Sequence, residues 1–188
     1  MAAPRTPPLW QADLDRYRTI CEHLQAGPAH RPPAALETGG CLLSGRPWLN
    51  PRHVIAEFEW PVQRIGPRFR RKQPDGLPVR LLVFRTVVGG VDTLPGCDAS
   101  VALIDSLARR RVCGRRQVAE LACSLHDSRS VPDAMISSNA QGLQRGLLQL
   151  LETFRARGLV LGSLPLVSDV ARRRRLAEPT ASADNPPP

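Results

Sequence analysis

Lysine is almost missing from this chain. Of 26 Lys and Arg residues, Lys72 is the single lysine and the other 25 are arginines. That scarcity closes several chemistries. A phosphate-cradling P-loop needs a Gly-rich turn ending in Gly-Lys-Ser/Thr. Lys72 instead sits in Arg70-Arg71-Lys72-Gln73-Pro74. A Schiff-base enzyme would have to use this same residue, and a charge run of this kind reads as solvated surface. The Glu-x-Lys pattern of restriction-type nucleases is absent.

Aromatic residues are also few: four Phe, three Trp and one Tyr. Modules that read single-stranded nucleic acid stack bases on exposed aromatic rings. Phe58, Trp60, Phe84 and Phe154 fall at core positions, which leaves Phe69, within Arg68-Phe69-Arg70-Arg71, as the stacking candidate. No apolar run reaches the 18 or so residues that span a membrane. Residues 1–8 are Pro-rich with no apolar segment, so no secretory signal is expected. Five cysteines are an odd number, which reads as reduced thiols in an intracellular protein, nuclear or cytoplasmic, and not as a disulfide framework. There is no Gly-x-Ser-x-Gly elbow.

What is present suffices for a folded core. Hydrophobic residues make up 42% of the 188 and charged residues 23%. The net charge is +9. The arginine excess has two readings. One is selection for a guanidinium that grips phosphate and carboxylate bidentately. The other, which abundant Ala, Gly and Pro favour, is the coding bias of a GC-rich genome such as that of a large DNA virus.

The patterning predicts an α+β domain over residues 9–168, with a flexible lead at 1–8 and a basic, Pro-ending, disordered tail at 169–188. A helix is expected over 10–25, with Leu9, Leu14, Tyr17, Ile20, Cys21 and Leu24 on one face. Alternation predicts a strand over 53–60, and an apolar run on both faces predicts a central strand over 79–88. The two would form a hairpin with the basic loop at its end. Residues 39–45 read as a buried turn or brief strand. From Cys97 the period becomes helical. Helices are expected over 99–111 with Asp98 as N-cap, over 115–125, and over 132–157, the last as one long helix or as two pieces around Gln141-Gly142. Gly158 is placed to terminate it, and 159–167 gives one more apolar segment. The expected architecture is therefore a small antiparallel sheet, an N-terminal helix and a C-terminal group of about three helices.

Three arginine clusters are candidates for phosphate binding. The first is Arg64, Arg68, Arg70, Arg71, Lys72, Arg80 and Arg85, with Phe69 among them. The second is Arg109, Arg110, Arg111, Arg115 and Arg116. The third is the run at 172–175. A leucine stripe, Leu143, Leu147, Leu150, Leu151 and Phe154, either packs on the sheet or offers a face to a partner. Cys123 and His126 are spaced for one helix face, and Cys41 with His53 or His126 would be the arrangement for a hydrolase. Neither is joined by further ligands or an orienting acid, so no metal, cofactor or catalytic residue is assigned. The expected function is non-enzymatic, accessory or regulatory: binding to a protein partner, with nucleic acid as the alternative ligand and no membrane.

Overall fold

The computed structural model describes residues 8–27, 31–66, 76–109, 111–127 and 136–166. The helices are α1 (Gln11–Ala26), α2 (Asp98–Arg109), α3 (Gly114–Asp127) and α4 (Ile136–Arg157). The strands are β1 (Arg46–Leu49), β2 (His53–Phe58), β3 (Val79–Arg85), β4 (Val91–Pro95) and β5 (Val160–Leu164). The fold is α+β, with the expected N-terminal helix and three C-terminal ones.

The sheet is not single. β2, β3 and β4 form an antiparallel meander with β3 in the middle, and β1 pairs with β5 in a separate antiparallel ribbon. The anticipated hairpin is present: His53 pairs with Phe84 and Phe58 with Val79. Its connection also holds a one-turn 3-10 helix, Val62–Arg64.

β3 is central because both its faces are covered. Leu81 and Val83 point to one side, with Ala56, Phe58, Val62 and Leu24 of α1. Leu82 and Phe84 point to the other, into a larger core with Leu103, Ile104 and Leu107 of α2, Val118 and Ala122 of α3, and Leu147, Leu151 and Phe154 of α4. Each of the Val, Leu, Ile and Phe side chains among them, removed from water, contributes about 1.5–3 kcal/mol.

The ends differ from expectation in instructive ways. β2 stops at Phe58, and Leu9 is 78% exposed, outside the apolar face it was expected to join. α2 already includes Asp98, and the cap lies one residue earlier. The Cys97 amide donates to Ser100 Oγ at 2.8 Å, and that hydroxyl donates back to the Cys97 carbonyl at 2.7 Å. Asp98 is instead held by Arg80 at 2.7 Å. α4 runs unbroken through Gly142. It ends as expected at Gly158, whose φ is +84°. The Gly158 amide donates to Arg155 O and the Leu159 amide to Phe154 O, the paired bonds of a glycine-terminated helix.

The strand expected over 79–88 ends at Arg85. Residues 86–90 are a turn, with Gly89 at φ +92°, and the chain returns as β4. Residues 39–45 are turns around Leu42, which is buried in the main core. A Cβ on Gly40 would meet Ser163 Oγ at 2.3 Å, and one on Gly114 would meet the Leu42 carbonyl at 2.1 Å. These glycines let the loop lie directly against β5 and the start of α3.

Asn50 joins the two sheets. Its Nδ2 donates to the carbonyls of Arg85, at 2.7 Å, and Gly158, at 3.1 Å. Its Oδ1 accepts the Arg52 amide at 2.9 Å, and its own amide donates to Leu159 O at 2.8 Å. The His53 Nδ1 donates to its carbonyl at 2.6 Å.

Candidate functional site

Of the arginines expected to bind phosphate, Arg68, Arg70, Arg71, Lys72 and Arg110 lie outside the described residues, as do Phe69 and the run at 172–175. Arg64 closes the 3-10 turn and is exposed. Three others already face carboxylates. Arg80 bridges Glu57 and Asp98, and its hydrogen bonds to these acids raise its pKa. Arg109 is 3.5 Å from Asp105 and Arg116 is 2.7 Å from Glu120, one helical turn away in each case. Such exposed pairs contribute little to stability, but they neutralise the cations locally. Arg111 and Arg115 are exposed and have no ion pair among the described residues.

Those two arginines are not isolated. β1 brings Arg46 and Trp48 alongside the segment that leads into α3. The Arg46 guanidinium lies over the Trp48 ring, 5.7 Å from its centroid. Burial and the nearby Arg111 charge both lower the Arg46 pKa, burial more. The 39–45 loop adds Cys41, an exposed thiol. Its pKa is lowered, first by the Ser44 hydroxyl and the amides of Ser44 and Leu43, then by the Arg115 charge. Sequence reasoning missed Arg46 and Trp48, because β1 is four residues long and shows no alternation.

A second surface surrounds the β3–β4 turn. Val87 and Val88 at its tip are 81% and 90% exposed. Two shallow depressions flank the tip. One is lined by Asn50, Arg52, Arg85 and Gly89, the other by Thr38, Arg155, Arg157 and Gly158, and Thr86, Val87 and Leu161 border both. The Arg85 guanidinium donates to Gly27 O, and Arg52 lies against Gly27 as well. Both cations therefore sit at the C-terminal end of α1, where the helix dipole favours them. Arg155 donates to Gly40 O at 3.3 Å. Arg157 grips Asp92 with two bonds, at 2.8 and 2.7 Å, and this pairing holds the Asp92 carboxyl below its ordinary pKa.

The leucine stripe lies against the core. Leu147, Leu151 and Phe154 are buried in it, and Leu143 and Leu150 are half-buried against it. Around them α4 packs on α3, α2 and β5. Cys123 is exposed while His126 is buried. Among the described residues no three His, Cys, Asp or Glu side chains gather as metal ligands. The groups that lower the Cys41 pKa are Ser44, Leu43 and Arg115. Among the described residues no helix is long and apolar enough to cross a membrane. No family model matches the chain, and no curated protein or solved structure matches it.

Proposed function

We propose that this protein is a non-enzymatic binding module that docks an acidic polypeptide on the surface around the β3–β4 turn. The supporting observation is Val87 and Val88, 81% and 90% exposed on a turn flanked by arginines. Adjacent large apolar side chains in water mark an interaction surface when they sit in a contiguous polar frame. Arginine is the cation enriched at protein interfaces. Arg52, Arg85 and Arg155 have no carboxylate partner among the described residues, so the surface complements acidic residues flanking an apolar anchor. Nucleic acid as the ligand has less support here, because Arg80, Arg109 and Arg116 are spoken for by carboxylates.

The test is affinity capture from source cells, with and without nuclease, using the wild type and a Val87→Asp/Val88→Asp variant. Both positions are exposed, so the variant should unfold at the wild-type temperature. The captured protein, once identified, is purified and titrated against both forms. The reading requires a nuclease-resistant, acidic partner whose affinity falls at least about tenfold in the variant, as expected when interface anchors are lost. Release by nuclease, or equal affinity for the two forms, would refute it.

A further inference from the structure

Apart from the hairpin surface, the ribbon β1–β5 carries a second polar cluster. We infer that Arg46, Trp48, Arg111 and Arg115 form a binding site for a phosphate dianion, free or as the terminal group of a monoester.

Four observations converge. Arg46 Nε and Trp48 Nε1 are both buried N–H donors with no hydrogen-bond acceptor among the described residues. A buried donor left unpaired is costly, so the pair favours an acceptor that reaches both. The two groups are fixed relative to one another, because the guanidinium is stacked over the indole at 5.7 Å from the ring centroid. Arg111 brings a like charge close to a half-buried Arg46. Two cations held together out of full solvent repel, and a bound dianion converts that repulsion into attraction. Arg115 is exposed and directly follows Gly114, whose amide donates to Gly45 O, next to Arg46 in the chain.

Charge favours a phosphate dianion over a lone carboxylate at a site with three guanidiniums. Guanidinium forks match the tetrahedral oxygens of phosphate bidentately, and a neutral indole N–H adds a directional donor without more charge. The helix amides do not make this site. The Gly114 and Arg115 amides already donate to the carbonyls of Gly45 and Leu43. The side chains therefore carry the recognition. A diester, with one charge per phosphate, matches three guanidiniums less well than a monoester dianion.

The indole N–H resonances of Trp10, Trp48 and Trp60 provide the readout in the whole, 15N-labelled protein. At constant ionic strength, millimolar inorganic phosphate should move one indole signal, the one that vanishes in Trp48→Phe. Phosphoserine should move the same signal if monoesters are accepted, and inorganic phosphate alone moving it would identify free phosphate as the ligand. The Arg111→Ser/Arg115→Ser variant alters exposed residues, so its unfolding temperature should be unchanged while the phosphate midpoint rises about tenfold or more. Three results would overturn the assignment: no shift, the same shift with chloride, or an unaltered midpoint in the double variant. A shift with a single-stranded oligonucleotide but not with phosphate would also reject it, in favour of backbone recognition of nucleic acid.

Discussion

Replacing Asn50 by Ala should weaken the joint between the two sheets more than any surface change. The side chain is 5% exposed and makes three hydrogen bonds. Two are donations to carbonyls from stretches far apart in the chain: Arg85 at the end of β3, and Gly158 at the turn between α4 and β5. The third organises the step into β2. Truncation leaves two carbonyls and one amide without this partner. A buried polar group stripped of its partner costs about 1–3 kcal/mol. Part of that is recovered here by water, because the bonds are only part-buried, so the net loss should be about 3 kcal/mol. For a chain of this size, each kcal/mol lowers Tm by about 2–4 °C, so the midpoint should fall roughly 6–12 °C. Urea unfolding with an unchanged m-value is the cleaner assay. Asn50→Asp should be worse than Ala at neutral pH. It keeps the acceptor but sets a charged oxygen against two carbonyl oxygens. A loss under about 1 kcal/mol for Ala, or Asp proving milder than Ala, would show that Asn50 is not the joint.

The Asp92–Arg157 pair ties β4 to the last turn of α4 and should leave a signature in acid. Because the folded Asp92 pKa is lowered, its contribution is present above the unfolded value of about 3.9 and is lost as pH falls through the folded value. Arg157 is 47% exposed, so solvent screening keeps the contribution small. The stability gap between wild type and Arg157→Ala should be constant near neutrality and narrow below about pH 4; a gap unchanged by acid refutes the pairing. Glycines should divide sharply in thermal unfolding. Gly142→Ala meets nothing within 4 Å and should stabilise α4 by up to about 1 kcal/mol. Gly114→Ala drives a methyl to 2.1 Å from the Leu42 carbonyl and should lose at least about 2 kcal/mol as the 39–45 loop lifts. The reverse order would discredit that close approach.

Much of the fold was readable because the signal was local. The helical period marks α2, α3 and α4, and the two-sided apolar run marks β3 as central. β1 and β4 were not readable. Arg46-Pro47-Trp48-Leu49 becomes a strand only because β5 arrives from the far end of the chain to pair with it. Val91-Asp92-Thr93-Leu94-Pro95 is an edge strand defined by register with β3. Missing β4 also turned Val87 and Val88, a solvent-facing tip, into the end of a buried strand. The site was less legible than the fold. Arg80 looks like a free cation in its basic run, yet it lies opposite Glu57 across the β2–β3 pair and reaches Asp98 at the head of α2. Arginine counts carry no information about such neutralisation, which depends on strand register. Nor could spacing set Arg46 beside Arg111, since β1 had to be recognised first.

The unequal coverage of the β2–β3–β4 sheet has a dynamic consequence. One face is sealed by three helices that also pack on one another, through fourteen buried residues. The other is sealed by α1 over six, of which the helix itself supplies only Leu24, with Tyr17, Ile20 and Cys21 half-buried beside it. Polar latches hold this cover. Asp13 accepts the Trp60 amide at 3.0 Å, Arg16 donates to Glu57 O at 3.0 Å, and Tyr17 shares a 3.0 Å bond with Thr93. Regions with fewer apolar contacts open at lower free energy than the global unfolding event. Amide protons of α1 should therefore exchange through a sub-global opening while those of the Leu147–Phe154 stretch wait for complete unfolding. Each such opening bares Phe58, Leu81 and Val83 to water, so the sheet face beneath α1 is where a destabilised chain would first self-associate.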